Sequence, residues 1–223
     1  MYTILEAAQL AGTTHATVRK WLTGYSVPGH AMAPVFDKNR EGQRGEPILV
    51  SFLELVEIVV VAGFRHGSSS AHSISLERLR RAHEYAKREF ALPYPFASLP
   101  LREAGGHVLH AFDVETPGGP RLALDLGGQW ELPGMVRTEL ERLDFDKNQA
   151  VVDPYPVRWF PKGRDVQIVV DPHLAAGRPT IFGRGITVDT IRRRWLHGEP
   201  ILSIANDYEL EPEIVEKALQ YAA

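Results

Sequence analysis

Thr13, Thr14, His15 and Thr17 are followed closely by Arg19 and Lys20. Hydroxyl and imidazole groups can hydrogen-bond to base-pair edges, and the two cations can neutralise phosphates, so the stretch has the chemistry of a duplex-reading surface. Tyr25 and the loop from Ser26 to Gly45, with Lys38, Arg40 and Arg44, would add a wing along the phosphate backbone; the alternative is a solvated loop. A second cationic set, Arg178, Arg184, Arg192, Arg193 and Arg194, lies towards the other end of the sequence. Any single one of these arginines could sit on a solvated face or in an internal salt bridge.

Other combinations fail the test of chemistry. His107 and His110 would point to opposite faces of a strand, which is wrong for a zinc pair, and His66, His72 and His83 lack ligand spacing. Glu54 and Glu57 lie one helical turn apart without a nucleophile or metal motif to serve, so they read as a helix boundary face. There is neither a phosphate-cradling glycine loop nor a Gly-x-Ser-x-Gly elbow. The expectation is a protein that is not an enzyme and carries neither cofactor nor metal.

The hydroxyl and cation cluster needs a scaffold, and the preceding residues supply one. Thr3-x-x-Glu6 is a capping box that predicts a helix from Ile4 to about Ala11, with Leu5, Ala8 and Ala11 near one face. Gly12 stops it, and Thr13 or Thr14 caps a second helix, His15 to Leu22, whose Val18, Trp21 and Leu22 pack back on the first. Ala8, Gly12 and Val18 have the types and spacing that a helix-turn-helix requires at its crossing, turn and anchor. In that motif the second helix enters the major groove by its amino-terminal end. Thr13, Thr14, His15 and Thr17 would then lie nearest the bases, and Arg19 and Lys20 nearest the phosphates. The alternative is a helical hairpin that only caps a core.

Three regions follow from the patterning: a helical 1–96, a Gly/Pro-richer 97–170 with a small antiparallel sheet, and a helical 171–223. The expected fold class is α+β, mainly α, with a winged helix-turn-helix head and a three-helix, helix-turn-helix-like tail. Ser51 and Glu54 cap an apolar helix over Leu53 to Phe64, much shorter than the ~20 residues that span a membrane. A helix from Ser75 to Phe90 carries the seam Leu76, Leu79, His83, Ala86 and Phe90, which is either a dimer interface or intrachain packing, with Arg78, Arg80, Arg81, Lys87 and Arg88 on its other faces. His107 to Phe112 and Val166 to Val170 read as strands, and Met135 to Leu143 as a short helix. Helices are expected at Thr190–His197, Ile201–Asp207 and Glu211–Ala222.

Composition adds constraints. A net charge of −3 offers no bulk attraction to nucleic acid, so contact must come from a local basic face. With no cysteine, disulfides and thiolate zinc sites are excluded. A reducing compartment fits, and the first residues lack an export signal, so a cytoplasmic protein is expected. From Glu199 onward, Glu199, Asp207, Glu209, Glu211, Glu213 and Glu216 face only Lys217, which argues against DNA at the last helix.

Tyr2-Thr3-Ile4-Leu5-Glu6-Ala7-Ala8 and Thr17-Val18-Arg19-Lys20-Trp21 resemble the opening and recognition helices of MerR-type regulators. Gly177, Pro179, Ile181, Gly183, Leu196 and Gly198 resemble the motif of a small domain found alone or as the tail of antitoxins, with Gly185 where that domain usually has arginine. Head and tail together resemble the larger VapB-type antitoxins. That resemblance implies a PIN-domain ribonuclease toxin as partner, operator DNA as ligand, and a homodimer or toxin–antitoxin hetero-oligomer. The cationic set Arg178, Arg184, Arg192, Arg193 and Arg194 would then contact the toxin's acidic metal site. The alternative is a MerR-like transcriptional regulator with a small-molecule effector and no toxin.

Overall fold

Thr3 and Glu6 cap each other reciprocally: the Thr3 hydroxyl accepts from the Glu6 amide at 3.2 Å, and the Glu6 carboxylate accepts from the Thr3 amide at 2.8 Å. The computed structural model in which this is seen describes residues 1–36, 47–66, 74–118, 121–125, 130–146 and 153–222. It is mainly helical with short antiparallel strand pairs. The chain forms two compact units, one of Met1–Glu141 with Lys147–Pro156 and the other of Arg142–Asp146 with Val157–Ala223.

The first unit begins with α1 (Ile4–Leu10) and α2 (His15–Thr23), followed by a hairpin of Tyr25–Val27 with His30–Met32. Tyr2 and Thr3 pair antiparallel with Val50 and Leu49, just before α3 (Phe52–His66). Then come α4 (Leu76–Phe90), a 3-10 turn at Pro95–Ala97, α5 (Leu99–Glu115), the strand pair Leu124–Asp125 with Trp130–Glu131, and α6 (Gly134–Glu141). Apolar residues surround α3 on every side, so it is the central helix, with Leu55, Ile58, Val61 and Phe64 fully enclosed.

Two charged groups, Glu57 and Arg78, lie deeper than the sequence suggests. Glu57 is buried rather than on a boundary face; its Oε1 accepts from the Phe96 amide at 3.1 Å and from His83 Nε2 at 2.9 Å. His83 stands edge-on to both Phe36 and Phe96. Arg78, expected on a polar face of α4, is 8% exposed and donates from Nη2 to Asp113 Oδ1 at 2.5 Å and from Nη1 to the Thr116 and Gly118 carbonyls. Asp113 Oδ2 accepts from the Leu122 and Ala123 amides, so one ion pair joins α4, α5 and the segment beyond it. Of the seam residues, Leu79, His83 and Ala86 are enclosed within the chain, while Leu76 and Phe90 at its two ends are half-buried.

His107 to Phe112 is helical, not a strand: it lies inside α5, which Ser98 caps by accepting from the Leu101 amide. Gly105 and Gly106, poor helix formers, obscure the pattern, but Leu101, Leu109 and Phe112 all turn to the core, and burial outweighs the propensity cost. His107 and His110 consequently share one side of a helix, the reverse of the strand argument. Among the described residues, no group of three or more His, Cys, Asp or Glu is placed to hold a metal ion. His72 and the loop cations Lys38, Arg40 and Arg44 lie outside the described residues. No helix among the described residues is long and apolar enough to cross a membrane.

The second unit holds the strand Leu143–Phe145, the strand Pro156–Trp159 that pairs with it and belongs to this unit from Val157 onward, an antiparallel pair of Ile168–Val169 with Thr180–Ile181, and α7 (Val188–Leu196), α8 (Ile201–Asp207) and α9 (Pro212–Tyr221). The strand expected over Val166 to Val170 is shorter because Arg164–Val166 forms a 3-10 turn, ended by Gln167 at a φ of 59°. Ile168, Ile181, Val188, Ile191, Ile204, Ala205, Val215 and Ala218 make up its core.

Candidate nucleic-acid interface

Gly12, at a φ of 61°, turns the chain between α1 and α2. Val18, Trp21 and Leu22 are buried, as are Ile4, Ala7 and Ala8 of α1, so the two helices share one small core. Leu5, expected to face inward, is more than half exposed; its neighbour Ile4 takes that place. The outward face of α2 carries Thr14, His15, Ala16, Arg19, Lys20 and Thr23, while Thr13 and Thr17 are half-buried. Of the sequence-derived set, His15, Arg19 and Lys20 therefore stand together on one open face.

Thr14 serves the helix as well as the surface. Its hydroxyl accepts from the Thr17 amide at 3.1 Å and lies 2.8 Å from the Thr17 hydroxyl. Both threonines thus hold the helix start, leaving the imidazole of His15 as the least restrained hydrogen-bonding group on this face. Ala16 and Thr23 were not singled out from sequence; a small residue at Ala16 lets the helix come close to whatever it faces.

Tyr25 opens the hairpin and lies under Lys20, whose Nζ is 5.3 Å from the ring centroid. Gly24 makes this possible: it has a φ of 71°, and a Cβ there would meet the Met32 carbonyl oxygen. At the tip of the hairpin Pro28, Gly29 and His30 are exposed. Its exit strand is held by the Val35 amide, which donates to the Trp21 carbonyl at 2.8 Å, and by Arg80, which reaches from α4 to the Pro34 carbonyl at 2.6 Å and to the Ala33 carbonyl. Arg80 is a positioning residue hidden from sequence reading because its partners lie far along the chain.

The second cationic set divides. Arg194 donates to Glu199 and Asp207 and covers the Tyr208 ring at 5.0 Å; Arg184 pairs with Glu209 at 3.1 Å; Arg193 pairs with Asp189 at 3.0 Å. Arg178 donates to the Ala175 carbonyl, and Arg192 forms no ion pair among the described residues. Most of the set is thus answered within the chain.

The hydrogen bond from Arg194 holds the Glu199 carboxyl below its usual 4.5, and Lys217 does the same to Glu213. A carboxyl depressed in the folded state contributes stability above its unfolded value and loses it as pH falls through the folded value. Melting followed by circular dichroism should therefore drop as pH falls below 4.5, and drop less steeply for Glu199→Gln. An identical acid limb in that variant would mean the clamp contributes nothing.

Residues 168–222 match a family described as a protein of unknown function, DUF433. Over its whole length the chain is similar to two proteins of Mycobacterium tuberculosis. One, named "Putative antitoxin VapB45", is 25% identical, covering 100% of this chain and 94% of that protein. The other, named uncharacterized protein Rv2308, is 27% identical, covering 99% of this chain and 89% of that protein. A crystal structure of Rv2018 from the same organism superposes with a TM-score of 0.78 at 22% identity, covering 98% of this chain and 96% of that one. At that identity the likeness establishes a shared fold, mainly helical with short antiparallel strand pairs.

Proposed function

We propose that this protein is the antitoxin of a type II toxin–antitoxin pair. It neutralises a PIN-domain ribonuclease toxin and represses the shared operon by inserting α2, the second helix of a MerR-like helix-turn-helix, into the major groove of operator DNA. It acts in the cytoplasm, without catalysis of its own, as a homodimer or in a hetero-oligomer with the toxin.

The observation that carries the reading is the open face of α2. It sets a free imidazole at the amino-terminal end and two cations further along, on a helix fixed from behind by Val18, Trp21 and Leu22. That order matches the order in which base edges and phosphates meet a groove-inserted helix. The full-length similarity to a protein named as an antitoxin supports the toxin partner.

The test pairs two measurements on the full chain. Fluorescence anisotropy with the duplex upstream of its own gene should show salt-dependent binding stronger than to a scrambled duplex, and co-expression with the adjacent reading frame should yield a stable complex that suppresses ribonuclease activity. Binding no tighter than to the scrambled duplex would reject the operator, and no complex would reject the toxin pairing.

A further inference from the structure

A two-stranded hairpin is marginal in water on its own, and the one after α2 pairs only Tyr25, Ser26 and Val27 with Met32, Ala31 and His30. It must be fastened from outside. At its entry the Gly24 amide donates to the Lys20 carbonyl at 2.9 Å, so the first strand leaves directly from the last turn of α2. At its exit the ladder cannot run on, because Pro34 has no amide to donate. A different element holds the chain there: Arg80 of α4 donates from Nε to the Pro34 carbonyl at 2.6 Å and from Nη2 to the Ala33 carbonyl.

One guanidinium therefore grips two consecutive carbonyls with its rigid fork. One turn further along α4, His83 stands edge-on to Phe36, with the ring centroids 5.6 Å apart. Between these two points the Val35 amide donates to the Trp21 carbonyl of α2 at 2.8 Å. Residues 33–36 are thus bound to α4 at Ala33, Pro34 and Phe36, and to α2 at Val35. The strip starts one residue after Met32, the pairing partner of Tyr25, and the Tyr25 ring is what Lys20 rests on. Charge sets Arg80 apart from an ordinary brace. It is half-buried, and among the described residues no carboxylate pairs with it, whereas Arg78 has Asp113. A cation drawn partly out of water and answered only by neutral carbonyls adds little stability for its desolvation. What the fork does supply is direction, since two bonds from one plane fix orientation as well as distance.

We propose that Arg80 sets the affinity of α2 for operator DNA without touching the DNA. By fixing the exit of the hairpin it holds Tyr25, and through Tyr25 the Lys20 ammonium, where a phosphate passes. A cation already held in its bound position loses less freedom on binding than one that is free to swing. The inference rests on the operator reading of α2 and adds α4 as the second support of that face. Arg80 is a positioning residue, and Lys20 is the group it positions.

The experiment is fluorescence anisotropy over a salt series, with the full chain and the duplex upstream of its own gene, for Arg80→Ala, Lys20→Ala and the two combined. Arg80→Ala should weaken binding by about fivefold or more alone, but by less than about twofold when Lys20 is already alanine, because residues acting through one contact are not additive. The salt slope of the Lys20→Ala chain should fall no further when Arg80 is also replaced. Equal losses in both backgrounds overturn the proposal, and a slope lower by about 1 would then identify Arg80 as a phosphate contact itself. Unchanged binding by Arg80→Ala overturns it too, while leaving α2 as the reading helix. If the unmodified chain does not prefer the upstream duplex to a scrambled one, the operator reading fails and this inference with it. Should Arg80→Ala lower the melting temperature, Arg80→Lys decides, since it keeps the charge but not the fork. Weaker operator binding by Arg80→Lys at an unchanged melting temperature supports positioning; binding equal to that of the unmodified chain overturns it.

Discussion

Replacing Asp113 by alanine should lower the stability of the protein by about 3–5 kcal/mol in urea denaturation, because it leaves a buried guanidinium without its counter-charge. Arg78 and Asp113 are 8% and 5% exposed at their side chains, and the Arg78 guanidinium also covers the Phe112 ring at 5.2 Å. The Thr116 and Gly118 carbonyls would still accept from Arg78, but neutral dipoles do not replace a carboxylate. The same substitution strands the Leu122 and Ala123 amides that Asp113 receives, which places the effect at the upper part of that range. The double variant Arg78→Met with Asp113→Leu should recover most of the loss, since a well-packed apolar pair of similar size has no charge to desolvate. A loss below about 1 kcal/mol for Asp113→Ala would mean that water reaches the pair and that it does not join the three segments as described.

The contrast between this ion pair and the helix caps explains what could be read from sequence. Thr3 with Glu6, Ser51 with Glu54, Ser75 with Arg78 and Thr187 with Thr190 are interactions across three residues, so spacing alone reveals them. The cap on α2 was legible for the same reason, and with it the outward placement of His15, Arg19 and Lys20. Arg78 and Asp113 are 35 residues apart, Arg80 and Pro34 46, and Glu57 and His83 26; no periodicity announces such pairs. Helical spacing alone therefore puts Arg78 and Arg80 on a polar face, although both turn inward. It is also why five arginines of the second unit looked equivalent, when Arg184 finds Glu209 across 25 positions and Arg194 finds Asp207 across 13. The helical character of α5 was hidden differently, by paired glycines whose local preference is overridden by the burial of Leu101, Leu109 and Phe112. Local chemistry was thus visible, whereas the selection among similar charged residues depended on long-range packing.

Arg19→Ala combined with Lys20→Ala should weaken operator binding by about tenfold or more near physiological salt, and reduce the salt slope by about 2 if each cation neutralises one phosphate. Both side chains are exposed on α2, and neither Val18, Trp21 and Leu22 nor the Thr14 cap depends on them, so the circular dichroism spectrum and the melting temperature should not change. Lys20 leans on Tyr25, so its loss also frees the ring at the base of the hairpin, which adds to the loss of affinity without adding to the salt slope. His15→Ala should behave differently. An edge-reading group lost from the end of the helix relaxes discrimination between operator and scrambled duplex by about 1–3 kcal/mol while leaving the slope nearly intact. The two variants together therefore separate backbone contact from base reading on a single helix. If the double variant binds the operator as the unmodified chain does, at every salt concentration, α2 is not the element that faces the phosphates. Survival of the complex with the adjacent gene product through all three substitutions would mean that the toxin is received by a different surface.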